Sequence, residues 1–168
     1  MTFLAQTWYD PRLVLGPSPV HGQGLFAADA FAAGELVMEW GGTAYRVSDL
    51  AAGRVPPGIS YAIVDEDVLL AGPADDPDYF LNHSCDPNVW LDGGLRIVAR
   101  RAIPAGAEIT GDYATWESEP EYELVGCQCG TAECRGTVTG SDWQKPALRQ
   151  RYRGHFLPFI ERRIAASY

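Results

Sequence analysis

The chain has 168 residues, 46% of them hydrophobic, with 18 Gly, 12 Pro and a formal charge of -9. That length buries a real hydrophobic core, and no run approaches the eighteen apolar residues of a membrane span. The acidic balance disfavours direct nucleic-acid binding, which needs basic patches against phosphate, and it suits either a basic peptide partner or plain solubility.

Met1 to Val20 carries Asp10, Arg12 and three prolines with no apolar run, so no secretory signal is expected and the chain reads as intracellular and soluble. Gly22-Gln23-Gly24 opens an apolar run that predicts a strand over 24–28, with another over 36–40. Because a strand follows the glycines, no helix N-terminus receives a pyrophosphate there, and the pair marks close backbone approach to a ligand or a plain turn. Residues 61–64 and 68–71 flank the acidic Asp65-Glu66-Asp67 and predict a hairpin, and Asp92-Gly93-Gly94 between 88–91 and 95–101 predicts a second. Further acidic clusters lie at Asp75, Asp76 and Asp78 and from Glu117 to Glu123. Between the hairpins, Asn82-His83-Ser84-Cys85 sets four polar or metal-binding side chains in succession, each needing a partner if buried. Pro104-Ala105-Gly106 turns the chain into a strand that reaches Thr110, with Tyr113 just beyond its end.

Only the end of the chain is helical in pattern. Phe156, Phe159, Ile160 and Ile164 form one apolar stripe, with Glu161, Arg162 and Arg163 off it. Ser141 and Gln144 have capping-box spacing, but Pro146 predicts a helix that begins at the proline itself, and Pro158 predicts a break or restart. Residues 142–168 hold six basic residues against Asp142 and Glu161, so the body is acidic and the tail basic.

Cys127, Cys129 and Cys134 stand within eight residues, and Cys85 lies forty-two positions upstream of the first. Cys-x-Cys-x4-Cys is short enough for one loop to supply three corners of a tetrahedral zinc site, and Cys85 is the remaining thiol. Four thiolates leave no open position for water, which makes such a zinc structural. Two disulfides are the alternative, less suited to a reducing compartment.

Read in order, GQGLFA, NHSCDPN, GAEITGDY and CQCGTAECRG resemble the SET domain of protein lysine methyltransferases followed by a post-SET segment, over roughly residues 13–138. The resemblance implies a mainly β fold of several small sheets, with a knot-like active site, a zinc-bound post-SET loop and short C-terminal helices. It divides the chain into an N-terminal extension (1–12), a SET domain (13–115), a post-SET segment (116–138) and a helical tail (139–168). It also implies an S-adenosylmethionine-dependent enzyme that methylates the side-chain amine of a lysine in a protein or peptide, histone-like or otherwise basic. Gly22, Gln23 and Gly24 would line the S-adenosylmethionine pocket, Asn82 and His83 would meet the cofactor from the opposite segment, Tyr113 would be the active-site tyrosine, and Tyr61 the second tyrosine bordering the lysine channel. Cys85, Cys127, Cys129 and Cys134 would bind one zinc.

Two departures stand out. Gly111 replaces the Phe or Tyr common two positions before the active-site tyrosine, which predicts a roomier channel, and Tyr79 replaces an arginine common three positions before the NHSC asparagine. They keep open a SET-like module that binds cofactor or basic peptide without turnover. A zinc-stapled interaction domain would require the other motifs to be accidental. Lys145 is the chain's one lysine and so its one internal methylation candidate.

Overall fold

The computed structural model describes residues 2–167. Thirteen short strands form four small sheets among the described residues. The first sheet joins β1 (Trp8–Tyr9), β4 (Leu36–Glu39), β10 (Arg96–Ala99) and β9 (Val89–Leu91), in that order and antiparallel. Its inner residues, among them Val37, Met38, Val89, Leu91 and Ile97, are almost wholly buried. Each contributes roughly 1.5–3 kcal/mol relative to exposure.

The second sheet positions the site. It runs β2 (Leu13–Pro17), β3 (Gln23–Ala27), β11 (Glu108–Gly111), β8 (Asn82–His83). The β11–β8 pair is parallel and sets Thr110 beside Asn82 and Gly111 beside His83. The loop after β8 then straddles β11. Ser84 N donates to Gly111 O at 2.8 Å, Asn88 N to Thr110 O at 3.1 Å, and the Asn88 side chain both donates to Glu108 O (2.7 Å) and accepts from Thr110 N (2.9 Å). NHSCDPN and GAEITGDY are therefore one hydrogen-bonded unit, although they lie far apart in sequence.

The third sheet places β7 (Val68–Pro73) between β5 (Thr43–Tyr45) and β6 (Ile59–Asp65), so the expected hairpin around the acidic turn is present. The hairpin around Asp92-Gly93-Gly94 is present as β9–β10. Sequence pattern did not mark β12 (Glu123–Val125) or β13 (Thr137–Thr139), which pair antiparallel across the cysteine-rich loop. Nor did it mark α1 (Val47–Ala51), a single turn with no buried residue.

The tail follows its prolines. α2 (Pro146–Arg151) and α3 (Pro158–Ala165) both begin on a proline, where a missing N–H costs nothing. The capping-box pair instead ends in a short 3₁₀ turn, Asp142–Gln144, with no side-chain cap. α3 buries Phe159, Ile160 and Ile164, and its polar face meets the β6–β7 turn. There Arg162 pairs with Asp65, and Arg163 Nε donates to Glu66 Oε1 at 3.0 Å, while Arg46 pairs with Asp67 at 3.1 Å. The basic tail and the most acidic turn thus neutralise each other within the molecule. No helix among the described residues is long and apolar enough to cross a membrane.

Candidate active site

A cleft of about 650 Å³ opens where β8, the end of β11, the β6–β7 sheet and the cysteine-rich loop converge, a size suited to a cofactor or small ligand. Tyr113 lines it. Its hydroxyl donates to Leu81 O at 2.9 Å, and its backbone N–H donates to His83 Nδ1 at 3.2 Å. Burial, then the charge of Glu117, pushes the Tyr113 phenol well above its ordinary value, so at neutral pH it is a fixed O–H donor.

His83 is almost fully buried. Because Nδ1 accepts from Tyr113, the ring proton sits on Nε2, 3.2 Å from Cys85 Sγ. Burial lowers its pKa to about 4 in spite of Asp112, which leaves it neutral at pH 7. The ring therefore braces Tyr113 on one side and Cys85 on the other. Asn82 is equally committed: its Nδ2 lies 3.2 Å from His21 O, 2.9 Å from Gln23 O and 2.8 Å from Glu108 Oε1. Asn82 and His83 both border the cleft, so a ligand meets edges of groups already held by the protein.

The glycine loop reaches the cleft through Val20 and His21, while Gly22, Gln23 and Gly24 stand beside it and not on its wall. Gly24 nevertheless lets two polar side chains approach closely. A Cβ there would fall 2.2 Å from Glu108 Oε1 and 3.0 Å from Asn82 Nδ2. Glu108 is a residue that motif reading passed over. Its Oε1 accepts from Ser18 Oγ (2.7 Å) and from Asn82, tying the glycine loop to β8.

Tyr61 also lines the cleft and is 44% exposed. Trp116, Glu117 and Tyr122 line the same cleft, and motif reading gave none of them a role in the site. Tyr113 and Tyr122 meet edge to face at 6.2 Å, and Trp116 tilts against Tyr113 at 5.5 Å and stands edge-on to Trp40 at 5.3 Å. Trp116 overturns the expectation of a roomier channel. A Cβ on Gly111 would lie 2.2 Å from Trp116 Cη2, so the indole fills the space that a larger side chain at 111 would take. Tyr79, where an arginine was the common choice, stands 63% exposed at the mouth.

The four cysteines come together as expected. Their sulfurs all lie within 4.8 Å of one another and none is paired in a disulfide. Corners of a tetrahedron with 2.3 Å metal–sulfur bonds are about 3.8 Å apart, so the cluster could hold a metal ion with little adjustment. Cys85 Sγ also accepts from Arg135 N at 3.3 Å. Burial pushes the Cys85 thiol up and that of Cys127 to about 11, whereas Cys129, against burial, is brought down to about 6 by hydrogen bonds from Thr131 and its neighbours, so Cys85 and Cys127 are the thiols that a bound cation would have to ionise.

A second clip lies beside this cluster. The Arg135 guanidinium donates twice to Asp112 at 2.7 Å and once to Asp142 at 2.8 Å. Tyr152 OH donates to Asp112 at 2.9 Å, and Lys145 pairs with Asp142 at 2.7 Å, which occupies the chain's one lysine. Both carboxylates are fully buried. Asp112 adjoins Tyr113, so the cysteine-rich segment is bolted to the residue next to the cleft tyrosine.

Comparison with known proteins agrees with this geometry. A family model described as SET domain matches residues 22–114. Histone-lysine N-methyltransferase TRX1 of Oryza sativa subsp. japonica is 32% identical over 142 residues, which cover 76% of this chain and 14% of that protein. The H3 lysine-4 specific histone-lysine N-methyltransferase of Saccharomyces cerevisiae is 35% identical over 133 residues (71% and 12%), and human SETD1A is 36% identical over 141 (76% and 8%). The chain thus spans a small fraction of these relatives. Among solved structures, a crystal structure of KRYPTONITE in complex with mCHG DNA and SAH superposes with a TM-score of 0.56 at 23% identity, over 74% of this chain and 28% of that one, a likeness of fold.

Proposed function

This chain belongs to the SET-domain family, and on that footing we propose that it is a protein-lysine N-methyltransferase that uses S-adenosylmethionine. The observation that carries the reading is Tyr113, a half-buried residue whose phenol donates to Leu81 O and whose backbone N–H donates to His83, in a cleft lined by aromatic rings. The lining fits the cofactor chemically: the polar residues His21, Asn82 and His83 together with the rings of Trp40, Tyr113 and Trp116 suit a flat base and a sulfonium cation. When bound, S-adenosylmethionine supplies an already activated methyl group. What remains for the protein is to position a neutral amine and exclude water, which is worth several kcal/mol in well-oriented systems. Tyr113 orients, Tyr61 borders the lysine channel, and Trp116 narrows it in place of a side chain at 111.

The cysteine cluster is read as one structural zinc on Cys85, Cys127, Cys129 and Cys134, which takes no part in the chemistry. A basic protein segment is the proposed substrate. A second groove, lined by Asp75 and Asp76 among others, shares Gly72 and Asp76 with the cleft, and it offers the flanking residues an acidic track. The proposed residue boundaries are 13–115 for the SET domain, 116–138 for the post-SET segment and 139–168 for the tail.

Methyl-labelled S-adenosylmethionine with a panel of histones, histone peptides and other basic proteins tests the reading. Tyr113→Phe is expected to slow label transfer about 10²-fold with cofactor binding nearly unchanged, the size of effect seen when one positioned donor is removed. Absence of cofactor binding by the unmodified chain overturns the proposal, and binding without transfer to any substrate leaves a binding module.

A further inference from the structure

Glu117 has no hydrogen-bond donor or cation on its carboxylate among the described residues. The influences on it are burial and the like charge of Glu119. Its place is fixed, because its backbone N–H donates to Tyr113 O at 2.7 Å, directly after the turn that carries Tyr113. Glu117 lines the cleft together with Tyr61, Tyr113, Trp116 and Tyr122, and its charge adds to burial in raising the phenols of the three tyrosines. An acid left without a cation among aromatic rings is a strain on the fold, and both halves of that arrangement, ring faces and carboxylate, complement an ammonium group.

We propose that Glu117 receives the ε-ammonium of the target lysine at the aromatic end of the cleft and takes its proton. The proposal rests on the methyltransferase reading above. The step balances: an N–H bond of the ammonium breaks, an O–H bond forms on Glu117, and the pair becomes neutral amine and neutral acid. The amine then carries the lone pair that methylation needs, and Glu117 returns the proton to water when the product leaves. Other candidates for the role are poorer. His83 is neutral and spent on Tyr113 and Cys85, Asp78 accepts from Thr7 and Tyr9, Tyr113 already donates to Leu81, Asp76 is shared with the adjoining groove, and Glu119 does not line the cleft.

The group suits a proton acceptor at neutral pH, because burial and then Glu119 raise its pKa to about 7. The folded value lies above the unfolded one, so ionising Glu117 weakens the folded state. That penalty grows as pH rises from about 4.5 to 7 and is constant above. Glu117→Gln is therefore expected to melt higher than the parent at pH 8 and nearly equally at pH 4, below both values. Butylammonium, a free copy of the lysine side-chain tip, is expected to raise the melting temperature of the parent at pH 8 and to lose that effect in Glu117→Gln. On whichever labelled protein accepts methyl groups, kcat/KM of the parent is expected to rise tenfold per pH unit below about 7 and then level. That of Glu117→Gln should be about 10²-fold lower at pH 7 and still climbing at pH 9, with cofactor affinity by calorimetry unchanged. If no protein accepts label, the methyltransferase reading fails while the melting and butylammonium measurements still decide the ammonium site. Equal melting at pH 8 together with equal butylammonium stabilisation, or an unaltered pH profile in the variant, overturns the role of Glu117.

Discussion

Arg135→Met is expected to lower the stability of the chain by about 3–5 kcal/mol, measured as a fall in the denaturant midpoint with the slope unchanged. The size follows from what is left behind. Asp112 and Asp142 are fully buried, and the guanidinium supplies two of the bonds to the first and one to the second. Tyr152 OH and Ala114 N still reach Asp112, and Lys145 and Thr139 still reach Asp142, so the carboxylates keep partners but lose the cation between them. Arg135→Lys restores charge without the planar fork and should recover only part of the loss. Because Asp112 adjoins Tyr113, the Met variant should also lose methyl transfer beyond what its stability deficit explains.

Removal of the metal is expected to be larger still. Metal analysis should return close to one zinc per chain. A strong chelator should release residues 126–136, detected as new protease cleavage around Gly126 and Gly130 and as weaker cofactor binding. Structural zinc sites in small domains contribute on the order of 10 kcal/mol of apparent binding free energy, and a zinc on the four cysteines would apply it to holding the cysteine-rich loop against the cleft. The loop lines that cleft through Gly126, Cys127 and Gln128. Cys134→Ser should reproduce the effect in milder form. Since the Arg135 clip and the cysteine cluster hold the same segment, removing both should cost less than the two single losses added together. A preparation with no metal and paired cysteines would contradict the zinc site.

How much of this was legible beforehand depended on whether a residue acts through a pattern or through a neighbour. The β6–β7 and β9–β10 hairpins announced themselves through turn residues between β-rich runs, and α2 and α3 through Pro146 and Pro158. The cysteine cluster was visible as spacing. Glu108, Trp116, Glu117 and Arg135 were not, because each matters through a contact with a residue distant in the fold or through a partner it lacks. Gly111 misled for the same reason: its own size suggested room, and the ring that fills the room comes from Trp116. Strands β1, β12 and β13 are two or three residues long, too short for alternation to register, and exist because β4 and each other supply the hydrogen bonds.

The pairing of the α3 arginines with the β6–β7 turn bears on how quickly a substrate is found. With Asp65, Glu66 and Asp67 already answered by Arg162, Arg163 and Arg46, those carboxylates exert little pull at a distance. The acids that no ion pair among the described residues touches include Asp75, Asp76 and Glu117, and these line the cleft and its adjoining groove. These unpaired carboxylates leave negative potential at the cleft and groove, which would draw in the cationic segments of the proposed substrate. Encounter rate, more than residence time, is the quantity this arrangement governs, and added salt would flatten it over a Debye length of about 10 Å at 0.1 M.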